Sequence, residues 1–313
     1  MKYSIVISTY NRANLMKLCL EALSKQNIPA SEYEIIVVND GSFDNTGEIA
    51  GNFKSLHPEI NFIYKVQTNG GPSKGRNAGI ALSTGEIILF TDDDCIVPER
   101  WVETLADGYK KHPEVAGVGG LYEFPPYILN KSLFARYHTF KMRNIWYGPE
   151  RIDKEIINNI FSRNPAGNTS NMSYRKEILT AVGGFDETIT YPGFDDTDLK
   201  KRIMDGGAVL LYLPYNIKHI HPMGSVQIIR RFFNFGRGRY RFAQKYKNSR
   251  RKNMSKNLPQ LEFKAIALAD SFFTQCGWEF EKMSDKIQPW IKSMFFPGIL
   301  SVISIFTERR PLK

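Results

Sequence analysis

Asp92, Asp93 and Asp94 follow Glu86-Ile-Ile-Leu-Phe-Thr91, an apolar run that reads as a buried strand, so three carboxylates meet at one strand's tip. Grouped carboxylates repel and call for a counter-charge. A hard divalent cation, magnesium or manganese, is bound through one or two carboxylates and then usually holds substrate phosphates as well. Three aspartates also suit a solvated turn or the cap of a helix starting near Pro98, and both readings stand at this point. Two further polar clusters, Ser8-Thr-Tyr-Asn-Arg12 and Asn39-Asp-Gly-Ser42, each follow a short β-like run. Asp40 offers an acceptor for a uracil-type N–H, or simply makes the Asn-Asp-Gly-Ser turn. Arg76 presents a planar fork to a base or a phosphate and Lys74 a point charge, unless their glycine-flanked turn is only solvated loop.

For these clusters to act together the backbone must bring them to one edge. Tyr3 to Ser8, Glu34 to Val38, Asn61 to Val66 and the run before the aspartates predict strands. Between them, Arg12 to Gln26, Asp44 to Ser55 and the stretch after Gly70-Gly-Pro-Ser-Lys-Gly-Arg-Asn77 predict helices. That alternation marks βαβ units and a mainly parallel sheet. In such open sheets ligands bind beyond the carboxyl ends of the strands, which is the edge where all three clusters lie. Pro98 to His112 predicts a helix and Val115 to Tyr122 a strand. Residues 123–165 hold Phe124-Pro-Pro126, Trp146, Tyr147 and Pro149, and predict a lid or substrate-facing insert, or a structural excursion. The pattern tightens again from Gly167 through Asn168 to Arg175, with helices expected from Lys176 and from Gly193-Phe-Asp-Asp-Thr-Asp-Leu199.

The chain of 313 residues is 42% hydrophobic, enough for a substantial core and one large domain with a smaller appendage. Cys19, Cys95 and Cys276 are odd in number, widely spaced and without a Cys-x-x-Cys pair, which favours a reducing compartment. The N-terminal run, Met1-Lys-Tyr-Ser-Ile-Val-Ile-Ser8, is too short for a secretory h-region, so the expectation is a cytoplasmic protein. Net charge is +10, and residues 225–313 alone carry 18 Lys+Arg against 6 Asp+Glu. Within them Arg230 to Lys252 holds ten basic residues and no acid, which points to an anionic surface as partner.

Ser8-Thr-Tyr-Asn-Arg12, Val37-Val-Asn-Asp-Gly-Ser42, Gly71-Pro-Ser-Lys-Gly-Arg-Asn-Ala-Gly79, Thr91-Asp-Asp-Asp94, Gly183-Gly-Phe-Asp-Glu187 and Asp195-Asp-Thr-Asp-Leu199 occur in the order seen in family 2 glycosyltransferases. The resemblance spans residues 3 to 225 and thins beyond them. It implies an inverting, nucleotide-sugar-dependent enzyme of the α/β class with the GT-A fold, a Rossmann-like mixed, mainly parallel sheet flanked by helices. The organisation it implies is a catalytic domain over 1–225, with a nucleotide-sugar-binding part (1–122) and an acceptor part (123–225). A mostly helical, basic amphipathic C-terminal region then covers 226–313.

Residue by residue, the resemblance implies nucleotide binding by Thr9, Tyr10, Arg12, Asp40, Lys74, Arg76, Asp92 and Asp93, with either Asp92 or Asp93 on the ribose. It implies a Mn2+ or Mg2+ ion at Asp94, completed by His221, with His219 the alternative. Inverting transfer needs one base to take the proton of the acceptor hydroxyl as that oxygen attacks opposite the leaving diphosphate. The family carries this base as the aspartate of a Glu-Asp pair opening a helix, and Asp195-Asp196 resembles that pair with Asp in place of Glu. The implied base is Asp196, and Asp195, Asn168 and Trp146 are implied at the acceptor. An acidic first turn favoured by the helix dipole is the other account of Asp195, Asp196 and Asp198.

The implied partners are a UDP-type sugar donor and a glycan or lipid-linked acceptor in cell-surface polysaccharide synthesis. Phe295 to Phe306 is an apolar run of twelve residues, short of the about 20 that a helix needs to span a bilayer. Together with the aromatic and basic stretch from Ile228 to Tyr246, it suits a peripheral site on the inner face of the cell membrane. It equally suits a helix that packs its apolar side on the catalytic domain. A sugar-1-phosphate nucleotidyltransferase would share the sheet, aspartates and metal, but resembles a Gly-rich basic N-terminal loop that Ser8 to Arg12 lacks. Nucleic-acid binding through the tail leaves all six motifs unexplained, and no nucleic acid is expected as a partner.

Overall fold

The structure, a computed structural model, describes residues 1–142, 155–158, 167–189, 193–221, 223–246 and 264–286. The first half of the chain alternates β1 (Tyr3–Thr9), α1 (Ala13–Leu23), β2 (Tyr33–Asn39), α2 (Thr46–Leu56), β3 (Asn61–Val66), α3 (Pro72–Leu82) and β4 (Ile87–Phe90). Side chains along each strand alternate between two core layers. Ile5, Ile7, Ile35 and Val37 enter the layer that α1 and α2 cover, while Val6, Ile36 and Val38 enter the other. Strands buried on both faces read as unbroken apolar runs, which is why they are visible in the sequence. Each such fully buried Ile or Val contributes about 1.5–3 kcal/mol. Helix α3 lies close on β1 because Gly75 and Gly79, one turn apart, face Ser8 and Val6, and a Cβ on either would collide with them. That contact sets Arg76 beside the carboxyl edge.

The chain continues through β5 (Cys95–Ile96), α4 (Trp101–Lys111), β6 (Val115–Gly119), β7 (Tyr122–Glu123), α5 (Pro126–Leu129), α6 (Leu133–Lys141), β8 (Glu155–Ile157), β9 (Met172–Arg175), α7 (Lys176–Ala181), α8 (Asp195–Asp205), β10 (Val209–Tyr212), β11 (Ile217–His219), α9 (Ser225–Lys245) and α10 (Lys264–Lys286). The large sheet has the order β3-β2-β1-β4-β9-β6-β10-β8, and a small one has β5-β11-β7. Strands β1 to β4 are parallel, β9 runs antiparallel to both β4 and β6, and β8 runs antiparallel to β10. The expected mixed, mainly parallel α/β class therefore holds. Because β2 and β3 lie to one side of β1 and β4 to the other, the carboxyl ends of β1 and β4 flank a topological switch point.

One expectation needs correction. Val115 to Tyr122 is not one strand: the chain breaks at Gly120, whose N–H donates to the Asn171 carbonyl at 3.0 Å, and β7 pairs with β11 in the small sheet. The stretch from 123 forms α5 and α6 and adds β8 to the large sheet. Trp146 and the run Phe295 to Phe306 lie outside the described residues.

The basic C-terminal helices pack on the protein. Phe232 of α9 is buried with Phe134 and Tyr137 of α6, and Asp270 of α10 accepts from the Tyr137 hydroxyl at 2.7 Å and pairs with Lys141. Arg237 and Arg241 each place Nε 2.7 Å from Glu281. Part of the positive surplus is thus neutralised within the helix pair. Among the described residues no helix is long and apolar enough to cross a membrane.

Candidate active site at the carboxyl edge of the sheet

Asp93 and Asp94 are each 3% exposed, just past the end of β4. Across the switch point, Thr9 Oγ1 donates to Asp93 Oδ2 at 2.7 Å. Arg12 Nη1 stands 2.9 Å from Asp93 Oδ1 and 2.7 Å from Asp94 Oδ2, and His219 Nε2 lies 3.4 Å from Asp94 Oδ1. Asp92 faces the other way, accepting from Arg76 Nη2 at 3.0 Å. Arg12 and Arg76 thus supply part of the counter-charge that the triplet requires. Burial raises the Asp93 carboxyl, and Arg12 offsets this only in part, so it titrates above the ordinary range. Burial pushes Asp94 the same way, but His219 and Arg12 outweigh it and hold that carboxyl low and ionised.

Ligand atoms of Asp92, Asp94 and Cys95 lie within 4.8 Å of one another. A thiol is a soft donor that suits a hard ion poorly, and burial with the neighbouring carboxylates pushes the Cys95 thiol well up. Two carboxylate oxygens remain, a donor set that fits magnesium or manganese completed by waters and phosphate oxygens. His221 makes no hydrogen bond among the described residues, and burial lowers it to about 4, leaving a neutral imidazole. The imidazole in contact with Asp94 is that of His219, whose Nδ1 is buried and has no hydrogen-bond partner among the described residues.

Asp40 is brought to the same edge at the end of β2, but its carboxylate is turned to the loop before α3. Oδ1 accepts from Gln67 Nε2 and Gly70 N–H, and Oδ2 from Gly71 N–H, each at 2.9 Å. It holds the Gly70–Gly71 turn, whereas in the Asn39-Asp-Gly-Ser42 turn it is Asn39 Oδ1 that accepts from Ser42 N–H, at 2.8 Å. Tyr10 packs edge-on against Phe43, with ring centroids 6.3 Å apart. Lys74 is exposed on the first turn of α3, its chain folded over Gly70.

At the start of α8, Asp195 Oδ2 accepts from Arg76 Nη1 at 2.5 Å. Arg76 thus joins the triplet to the second acidic cluster. Burial raises the Asp195 carboxyl, with Arg76 opposing. Asp196 is half-buried: Oδ1 accepts from Thr197 N–H at 2.7 Å, and Oδ2 lies 3.5 Å from Lys200 Nζ. Asn168 is used locally, its Oδ1 accepting from Ser170 Oγ at 2.7 Å.

The sequence reading missed Lys200, which is 1% exposed, pairs with Asp196 and donates to the Gly167 carbonyl at 2.6 Å. An i, i+4 Asp–Lys spacing is the signal that marks it. It also missed Arg12 as the counter-ion of Asp93 and Asp94. No local signal marks that pairing, because the partners are some eighty residues apart in the chain.

Residues 4–183 match the family model of glycosyl transferase family 2. The chain is 29% identical over 236 residues to Glycosyltransferase AglE of Haloferax volcanii, a match covering 75% of this chain and 72% of that protein. Among solved structures, the mannosyltransferase PcManGT from Pyrobaculum calidifontis, in complex with GDP-Man and Mn2+, is similar with a TM-score of 0.59 at 17% identity, over 98% of this chain and 81% of that one. Residues 1–349 of S. aureus TarS, in complex with UDP-GlcNAc, give a TM-score of 0.57 at 20% identity, over 99% and 82%. At such identities these two likenesses speak to the fold, and they place it with the GT-A glycosyltransferases. With more than half of its length matched, the chain belongs to glycosyl transferase family 2 and is a glycosyltransferase.

Proposed function

We propose that the chain is an inverting glycosyltransferase that moves a sugar from a UDP-type donor to a hydroxyl of a glycan or lipid-linked acceptor in cell-surface polysaccharide synthesis. The observation that supports this best is the fork of Arg76, 3.0 Å from Asp92 and 2.5 Å from Asp195, which makes one polar edge of the aspartate triplet and the opening of α8. The donor nucleotide lies along Thr9, Tyr10, Arg12, Asp40, Lys74, Arg76, Asp92 and Asp93, in the part of the chain up to residue 122. Asp195 and Asn168 face the acceptor.

Asp196, half-buried at the second position of α8, is the base. It takes the proton of the acceptor hydroxyl as that oxygen bonds to the anomeric carbon. The bond from that carbon to the diphosphate breaks on the opposite face, its electron pair leaves with the diphosphate, and the configuration inverts. A magnesium or manganese ion held by Asp92 and Asp94 would offset charge on the departing diphosphate. The Mn2+ complex of PcManGT supports a divalent ion, and the UDP-GlcNAc complex of TarS supports a UDP-type donor. The positive surplus beyond residue 225 supports a place on the anionic inner face of a membrane.

A screen of nucleotide sugars with Mn2+ or Mg2+, reading released nucleotide diphosphate, tests the reading. A UDP-sugar should be consumed, and Asp196→Asn should bind UDP as the parent does while releasing almost none. Turnover by Asp196→Asn at the parent rate would remove the base assignment.

A further inference from the structure

Phe194 sits in the left-handed region, with φ +67° and ψ −3°, immediately before the helix that carries Asp195 and Asp196. A bulky side chain disfavours that conformation, which persists only where the surroundings over-determine it. Those surroundings are helix α9. The Phe194 ring packs 4.9 Å from that of Phe235 and 5.6 Å from that of Phe242, centroid to centroid. Gly238 of the same helix lies against the turn. A Cβ there would stand 2.5 Å from the Gly193 carbonyl oxygen and 3.4 Å from Phe194 Cδ2.

The far end of α9 grips α8 a second time. Tyr246, just past its last turn, donates its hydroxyl to Asp198 Oδ1 at 2.7 Å, and Lys245 Nζ stands 2.7 Å from the same oxygen. Asp198 is 1% exposed and its other oxygen accepts from Arg202 Nε at 2.9 Å, so the carboxylate is fully engaged. Asp198 N–H in turn donates to the Phe194 carbonyl at 2.9 Å, which ties the two grips into one. The opening of α8 is therefore held from the nucleotide side by Arg76 and from the other side by α9.

We propose that α9 is a positioning element of the transfer reaction: Phe194, Gly238 and Tyr246 fix the left-handed turn that aims Asp196, without touching the donor. This rests on the base role of Asp196. Released from α9, Phe194 would relax to an ordinary backbone conformation and swing the first turn of α8 away from Arg76. A displacement of about 1 Å at a reacting group costs about a hundredfold in rate.

The test uses the full chain. Tyr246→Phe deletes one hydroxyl, and Phe194→Gly keeps the left-handed turn accessible while removing the ring. Turnover is read as UDP released from UDP-GlcNAc with Mn2+, UDP affinity by calorimetry, and the mobility of residues 195–199 by amide hydrogen exchange. Each variant should lower kcat about tenfold with KM and UDP affinity within about twofold, a split that marks a loosened base rather than damaged binding. Exchange at 195–199 should quicken while β1 to β4 keep their protection. Unchanged exchange at 195–199, kcat within twofold of the parent in both variants, or UDP affinity falling in step with kcat would each overturn the proposal. Asp196→Asn is measured alongside. If it turns over normally, the base assignment falls; if it is inactive while Tyr246→Phe keeps full rate and protection, only the positioning role falls.

Discussion

Arg76 Nη1 stands 2.5 Å from Asp195 Oδ2, joining residues 119 positions apart. The other nitrogen of the same fork reaches Asp92 at 3.0 Å, and the guanidinium lies 5.5 Å from the centre of the Phe185 ring. A planar five-donor group satisfies two carboxylates and a ring face at once, which a lysine ammonium does not.

Arg76→Lys should therefore fold but lose the bridge. We expect kcat/KM for the donor sugar to fall about ten- to hundredfold, or about 1.4–2.7 kcal/mol of transition-state stabilisation. Steady-state kinetics of Arg76→Lys and of Asp195→Asn, singly and combined, check this. Simple additivity of the two losses would mean that the contact does no work in catalysis.

Asp94→Asn separates the metal from the internal counter-ions. Arg12 still has Asp93 as a partner at 2.9 Å, so the fold should survive. The Mn2+-dependent part of UDP affinity should vanish, leaving the weaker metal-free affinity unchanged. Calorimetry with and without Mn2+ reads both. An unaltered metal dependence would place the ion elsewhere.

The parallel half of the sheet was legible because β1, β2 and β4 are buried on both faces and so are written as apolar runs. The aspartates at their ends were legible for the same reason, since a run of charge that stops a buried strand has to lie at its tip. Strand β9 was not: Met172-Ser-Tyr-Arg175 is short and mixed, and it becomes a central strand only because β4 and β6 close on both sides of it. The partners within the site were hidden as well. Arg12 reads as a nucleotide ligand in its motif, yet its contacts with Asp93 and Asp94 are set by the β1–β4 pairing and not by its neighbours in sequence. Likewise the sequence does not tell that two arginines of the basic stretch, Arg237 and Arg241, pair with Glu281 on another helix.

His138 gives the stability a pH dependence. It is 4% exposed, its Nε2 is 3.2 Å from the Tyr122 hydroxyl, and burial, helped by Arg231 and Lys141, holds it well below its ordinary 6.5. The unfolded chain takes up a proton near 6.5 that the folded chain refuses, so this contribution is present above 6.5 and is lost as pH falls. Each such group costs about 1.4 kcal/mol per pH unit below that point. His219 and His221 are lowered too, so the parent should lose more than one proton's worth between pH 6.5 and 5. His138→Phe should remove one share of the slope in urea unfolding. An identical slope in parent and variant would contradict the burial argument.

Asn171 joins the two sheets, and its removal should be costly to the fold. It is fully buried: Oδ1 accepts from Trp101 Nε1, and Nδ2 donates to the carbonyls of Leu121 and Tyr215, all at 2.8 Å. Leu121 and Tyr215 flank β7 and β11, the strands of the small sheet, and β11 ends at His219 beside Asp94. Asn171→Ala leaves the Trp101 indole N–H and the Tyr215 carbonyl without this partner, while the Leu121 carbonyl still accepts from Ile217 N–H at 3.2 Å. At about 1–3 kcal/mol for each of the two orphaned groups, less what an entering water restores, the loss should be about 2–4 kcal/mol. Because the amide touches none of the proposed substrate groups, UDP affinity measured well below the unfolding transition should stay close to the parent's. A stable variant with weakened UDP binding would instead make the amide part of the site.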